Sequence, residues 1–178
     1  MNSNTIYLEN TKFMPWGTNF SGDPRKDKYG SSQRQGNVII PDIMMARQLI
    51  DEGFNVKMSK PKEGADENES PSYFTKVILS YRYKTGEPVR VPPKVFFIED
   101  GFETELVEDT VGRRVDEARV DHVNMVLNKY EGPNGKSLYI RSMEVFQKTD
   151  DDPITMRHKR HAQHEMEITS FNPECDED

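Results

Sequence analysis

The chain has 178 residues, enough for one domain with a real core. Hydrophobic residues are 34% and charged residues 31% of it, so a modest core must carry long polar excursions. One cysteine, Cys175, excludes an internal disulfide framework and a cysteine-based zinc site and fits a reducing compartment. The formal net charge of −7 argues against nucleic acid only at first sight. Acidic residues concentrate in 63–70, 99–109, 150–152 and the final ECDED, while basic residues cluster among aromatics elsewhere. With no basic-then-apolar leader and no apolar run of bilayer-spanning length, the sequence predicts an unexported, cytoplasmic protein.

Residues 13–42, FMPWGTNFSGDPRKDKYGSSQRQGNVIIPD, have little periodicity until their last positions, and a loop of that length is usually functional or disordered. NVIIP, 37–41, reads as a short buried strand. A helix follows, with Ile43, Ala46, Leu49 and Ile50 on one face, Asp42 as N-cap and Gly53 as terminator. FNVKMSKP reads as a strand and 62–70 as a polar acidic loop.

The clearest β signal is SYFTKVILSYRY, 72–83. Tyr73, Thr75, Val77, Leu79, Tyr81 and Tyr83 occupy one face, and Phe74, Lys76, Ile78, Ser80 and Arg82 the other. KVFFIED is another strand, ending in a turn at Gly101, and a short helix near 107–115 is compatible with the pattern despite Gly112. A long hairpin, 118–130 and 137–148, has Pro-Asn-Gly turn chemistry between its arms. These elements predict a mainly β protein: an OB-fold-like five-stranded antiparallel barrel over residues 1–148, with one or two short helices and long loops. Residues 149–178 read as a flexible charged C-terminal tail.

Phosphate-loop, nucleophile-elbow and His-Glu-x-x-His motifs are absent, and the sequence predicts no enzyme, cofactor or metal. Asp100, Glu103, Glu105, Glu108 and Asp109 have the composition of a divalent-cation site, as a nuclease would use, and equally that of a solvated loop. His158, His161 and His164 recur every third residue, a spacing that suits zinc only with a further ligand and otherwise suits a solvated or phosphate-contacting tail. His122 falls on the outer face of the hairpin, opposite Val123, Met125 and Leu127.

What remains is aromatic and basic interleaving, the chemistry that holds single-stranded nucleic acid by stacking bases and tracking the backbone. Trp16, Phe20 and Tyr29 are the candidate stacking residues, Arg25, Lys26, Lys28, Arg34, Lys76 and Arg82 the candidate phosphate contacts, and Phe74, Lys57 and Arg141 further candidates. For Trp16 a loop-anchoring role competes, and for the cations a solvated surface. The acidic terminus suits competition for a basic groove or the docking of protein partners.

The loop NFSGDPRKDKYGSSQRQGNVIIPD, the runs ARQLIDEGFNVKMSKP and YFTKVILSY, PPKVFFI, and the hairpin VNMVLNKYEGPNGKSLYIRSMEV together resemble bacteriophage single-stranded DNA-binding proteins of OB-fold type, over most of residues 6–148. The basic RHKRH before the acidic end departs from the purely acidic tail of that family. The resemblance implies protection of single-stranded DNA during phage replication or recombination in the host cytoplasm, with little sequence preference. It also implies contacts with replication or recombination proteins. The rival expectation is an acidic protein-interaction module that inhibits or recruits a host enzyme through segments such as 99–109.

Overall fold

A computed structural model describes residues 4–59, 72–133 and 135–148, and beyond them Ile154, Arg157 and His158. It divides into two compact units, residues 1–148 and 149–178. In the second, the three described residues have helical backbone and are exposed. The acidic segment 63–70, His161, His164, Cys175 and the acidic terminus lie outside the described residues.

The first unit runs β1 (Thr5–Thr11), β2 (Gln35–Ile40), α1 (Ile43–Asp51), β3 (Val56–Met58), β4 (Tyr73–Ile78), β5 (Lys94–Glu99), β6 (Phe102–Leu106), α2 (Glu108–Asp116), β7 (Val120–Gly132) and β8 (Gly135–Gln147). The Asp42 carboxylate accepts the backbone N–H of Met44 at 2.9 Å and starts α1, satisfying donors that the first turn leaves open. Gly53, at φ +97°, lets the chain turn away after it. Only Ala46 and Leu49 of that helix are buried, while Ile43 and Ile50 remain 48% and 44% exposed, because a nine-residue helix touches the sheet along a narrow stripe. Asp100 and Gly101, both at positive φ, make the two-residue connection between β5 and β6.

The outward and inward alternation expected of the strands holds along the long hairpin and only in part along 72–83, where Phe74 and Ile78 of the expected outer face are buried as well. Val77 and Leu79 are buried on one side of the 72–83 segment, and Val123, Met125 and Leu127 face Ile140, Met143 and Val145 across the long hairpin. Val111 and Val115 add the apolar side of α2 to the same core. Beyond α2's apolar side, Gly112 lies so close to Ser21 that a Cβ there would stand 2.3 Å from the Ser21 Cα.

Hydrogen-bonded neighbours follow the order β1-β7-β8-β4-β2, with β3 beside β4 and the β5–β6 hairpin beside β8. The expected five-stranded antiparallel barrel is corrected in three respects. There are eight strands among the described residues, and two pairings, β4 with β8 and β5 with β8, are parallel. The sheet is also open: its end strands β1 and β2 share no ladder, and they meet through the Thr11 hydroxyl, which donates to the Ile39 carbonyl, and just past β1 through a bridge between Phe13 and Val38, beside hydrogen bonds from Met14 N to Asn37 O (2.8 Å) and Ile39 N to Lys12 O (2.9 Å). The parallel pairings arise because β4 and β5 reach β8 only after the chain has crossed over through α2 and β7, not through a tight turn. No helix among the described residues is long and apolar enough to cross a membrane.

Candidate nucleic-acid interface

Strand pairing decides which side chains share a face. On β4, Phe74 and Lys76 point away from the core. In register beside them, Asn37 of β2 opposes Lys76, and Lys57 of β3 opposes Phe74. Trp16 comes to this face from the loop after β1. Met14 is pinned to β2, Gly17 takes φ +82° against the Asn37 side chain, and the Asn37 amide donates to the Trp16 carbonyl at 3.4 Å.

The indole then meets Phe74 edge to face, with ring centroids 5.7 Å apart. It covers Phe74, which is 9% exposed, and is itself 51% exposed. Trp16, Phe74, Lys57 and Lys76, with Asn37, Asn55 and Thr75, border a groove of about 210 Å³. Thr75 donates its hydroxyl to the Asn55 carbonyl at 3.1 Å and so fixes the entry to β3 at the rim. Lys57 and Lys76 make no ion pair among the described residues.

The other expected contacts scatter. Phe20 is corrected: it is 0% exposed, packed 5.4 Å from Phe13 and against Gly36, and belongs to the core. Its loop position hides that Asn19 bridges Gln35 of β2 and pulls the next side chain inward. Arg25 spends its guanidinium on both Asp23 oxygens, 3.1 and 2.9 Å away, and that contact holds the Asp23 carboxyl below its ordinary range. Lys26 reaches Asp116 at 3.2 Å. Arg34 donates to the Phe20 carbonyl at 2.8 Å and lies over the Tyr81 ring. Arg82, past the end of β4, pairs with Glu108 at 3.1 Å.

Lys28 and Tyr29 stand together at the exposed tip of the loop, Tyr29 86% exposed with the Lys28 ammonium over its ring. Arg141 is exposed on β8, beside the register irregularity opposite Val126 and Leu127, and does not line the groove. Of the candidates named from the sequence, the fold therefore gathers Trp16, Lys57, Phe74 and Lys76. Asn37 and Asn55 were not among those candidates. Outward alternation on β2, where Asn37 sits between the buried Gly36 and Val38, is the signal that finds the first.

Elsewhere, the carboxylates of 99–109 are distributed over the β5–β6 turn, β6 and the start of α2, and no group of three His, Cys, Asp or Glu among the described residues is placed to hold a metal ion. A larger hollow of about 810 Å³ lies against α2, and four of its charges are paired: Arg114 with Glu99 at 3.3 Å and Arg113 with Glu117 at 3.5 Å. His122 stacks on Phe146 at 4.2 Å and lies 2.7 Å from Asp121, whose carboxyl it pushes down. The Tyr81 hydroxyl is buried without a hydrogen-bond partner among the described residues, and burial raises its pKa to about 12.

Fold and groove define a small mainly β protein in which a half-exposed indole shares a groove with two lysines carried by paired strands. The chain belongs to the family described as "Putative phage ssDNA-binding domain", whose model matches residues 3–170. No curated protein matches it.

Proposed function

We propose that this protein binds and protects single-stranded DNA, largely without sequence preference, in phage replication or recombination. The observation that carries the reading is the Trp16–Phe74 pair flanked by Lys57 and Lys76: an aromatic face for bases beside cations for the backbone, built on paired strands. Its role is to coat DNA rather than to catalyse, and it needs no cofactor or metal.

The strand order supports a partly open OB barrel. Taken as β1-β2-β4-β8-β7, the strands make a circuit through the Phe13–Val38 bridge, with β4 and β8 parallel and α2 lying between β4 and β7 in the chain. The groove then lies on the second and third strands, the face on which OB folds hold oligonucleotides. Lys28 and Tyr29, exposed at the loop tip, are further candidate contacts outside the groove.

The acidic terminus is assigned to replication or recombination partners and the protein to the host cytoplasm. The acidic-module reading draws on Glu103 and Glu105, exposed on β6. Titration of a labelled oligonucleotide at rising salt tests the proposal: affinity should fall steeply with salt. Absence of binding at low salt overturns it.

A further inference from the structure

The groove ends at Lys76, but the face that carries it goes on. Ile78, two residues further along the same side of β4, pairs in parallel with Tyr139 of β8, and Tyr139 pairs in turn with Asn128 of β7. Residues opposite each other in a ladder share a face, so Tyr139 and, two residues from Asn128, Tyr130 continue the side that bears Phe74 and Lys76. Two strand spacings put β7 about 10 Å from β4.

The two tyrosines repeat the geometry of the first aromatic pair. Their ring centroids lie 5.4 Å apart with the planes at 80°, and again a half-exposed ring, Tyr130, stands on a more buried one, Tyr139. Gly132 seats the outer ring: a Cβ there would stand 2.7 Å from the Tyr130 Cε1, so the ring lies against bare backbone. Gly132 is not at positive φ, so it is the ring and not the chain direction that calls for glycine. Arg141, exposed at the bulge two residues past Tyr139, adds a cation that makes no ion pair among the described residues.

We propose that Tyr130, seated on Tyr139 and Gly132, is a second base-stacking platform, and that single-stranded DNA runs across the strands from Trp16 over Lys76 to Tyr130, with Arg141 for a phosphate at that end. The inference rests on the single-stranded DNA reading above. A ring held by its edge neighbour and by bare backbone loses little freedom when a base covers its open side, which is what a stacking site needs. The occupant is nucleic acid because this surface continues the groove and repeats its chemistry, an aromatic face beside an unpaired cation.

Trp16 is the only tryptophan in the chain, so quenching of its fluorescence reports the groove end. The full chain is titrated with the shortest oligonucleotide that quenches Trp16 and with one of about 12 nucleotides, within the span of one OB fold, while anisotropy of the labelled DNA is followed in parallel. Tyr130→Leu keeps an apolar side chain over Gly132 but has no ring. It should bind the longer DNA about tenfold more weakly and the shorter one as the parent does, which also shows that it folds. Tyr130→Phe should match the parent on both. Arg141→Ala should lower the dependence of log affinity on log salt by about 0.7, on the longer DNA only. In the parent, 5-iodouracil placed along the longer DNA should crosslink to Tyr130 on irradiation, a readout that needs no variant. Undiminished binding of the longer DNA by Tyr130→Leu, an equal loss on both lengths, or crosslinks that never reach Tyr130 each overturn the second platform alone. DNA that raises anisotropy without quenching Trp16 overturns the path across the strands, and no binding by either signal at low salt overturns the proposed function itself.

Discussion

Trp16, a loop residue, stands edge-on to Phe74, a strand residue, with ring planes at 86°. The pair ties the least periodic segment of the chain to its most regular strand and leaves one side of the indole to solvent. Replacing Trp16 by Ala should weaken oligonucleotide binding about tenfold, within the 1–3 kcal/mol that a stacked base contributes. Trp16→Phe should keep most of the affinity. Anisotropy titration of both variants checks this.

Phe20 should behave in the opposite way. Phe20→Ala removes a ring from the core and should cost about 3–5 kcal/mol of stability, measured by urea unfolding. Below the onset of unfolding, its DNA affinity should stay close to that of the parent.

The cations should separate by their partners. Lys57→Ala and Lys76→Ala should each reduce the dependence of log affinity on log salt by about 0.7, the value for one phosphate contact on a single strand. Arg25→Ala should leave the slope unchanged, because Asp23 already holds that guanidinium. Salt titrations of the three variants distinguish groove cations from paired ones.

Gly112 has no room for a methyl group. In Gly112→Ala the new Cβ would meet the Ser21 backbone at 2.3 Å, and either α2 or the loop must shift. The expected cost is about 1–3 kcal/mol by urea unfolding. Phe20 N and Ser21 N also donate to the Asp116 carboxylate at 2.8 and 3.1 Å, so the shift loosens two further contacts of that loop.

Glu52 sets a pH dependence. Lys129 lies 2.8 Å from its carboxylate and holds the folded pKa below the ordinary 4.5. A carboxyl depressed in the folded state stabilises it above the unfolded pKa, and that contribution disappears as pH falls through the folded value. Glu52→Gln should therefore be less stable than the parent at neutral pH and should lose less on acidification below about pH 4.5. Urea unfolding at neutral and acid pH measures both.

Alternation made much of this molecule legible. The long hairpin declared its core face because it is buried on one side only, whereas on the 72–83 strand Phe74 and Ile78 of the expected outer face are buried too, Phe74 under the Trp16 indole; Asp42 and Gly53 marked α1 through local chemistry that tertiary packing did not override. No strand is predicted over 5–11, although Ile6 and Leu8 alternate there with exposed residues, and none over 102–106, where Leu106 is the only buried residue. An edge strand that buries one side chain has no periodicity to show.

The parallel pairings were illegible for another reason: β4 and β5 share one edge of β8, and such partners are chosen by the crossover rather than by either segment. At the site, residue type alone did not separate Arg25 from Lys57. What differs is the neighbour, a carboxylate two residues away for the first and an aromatic on the next strand for the second.

The bridge between Asn19 and Gln35, hydrogen-bonded in both directions at 2.8 and 3.1 Å, pinches the loop shut at its base. Everything between those residues leaves and re-enters the sheet at one point. For protein engineering this makes the tip around Tyr29 and Gly30 a graft site: a reporter peptide or an affinity handle inserted there would lengthen a closed lobe and leave the register of β2 with β4 untouched.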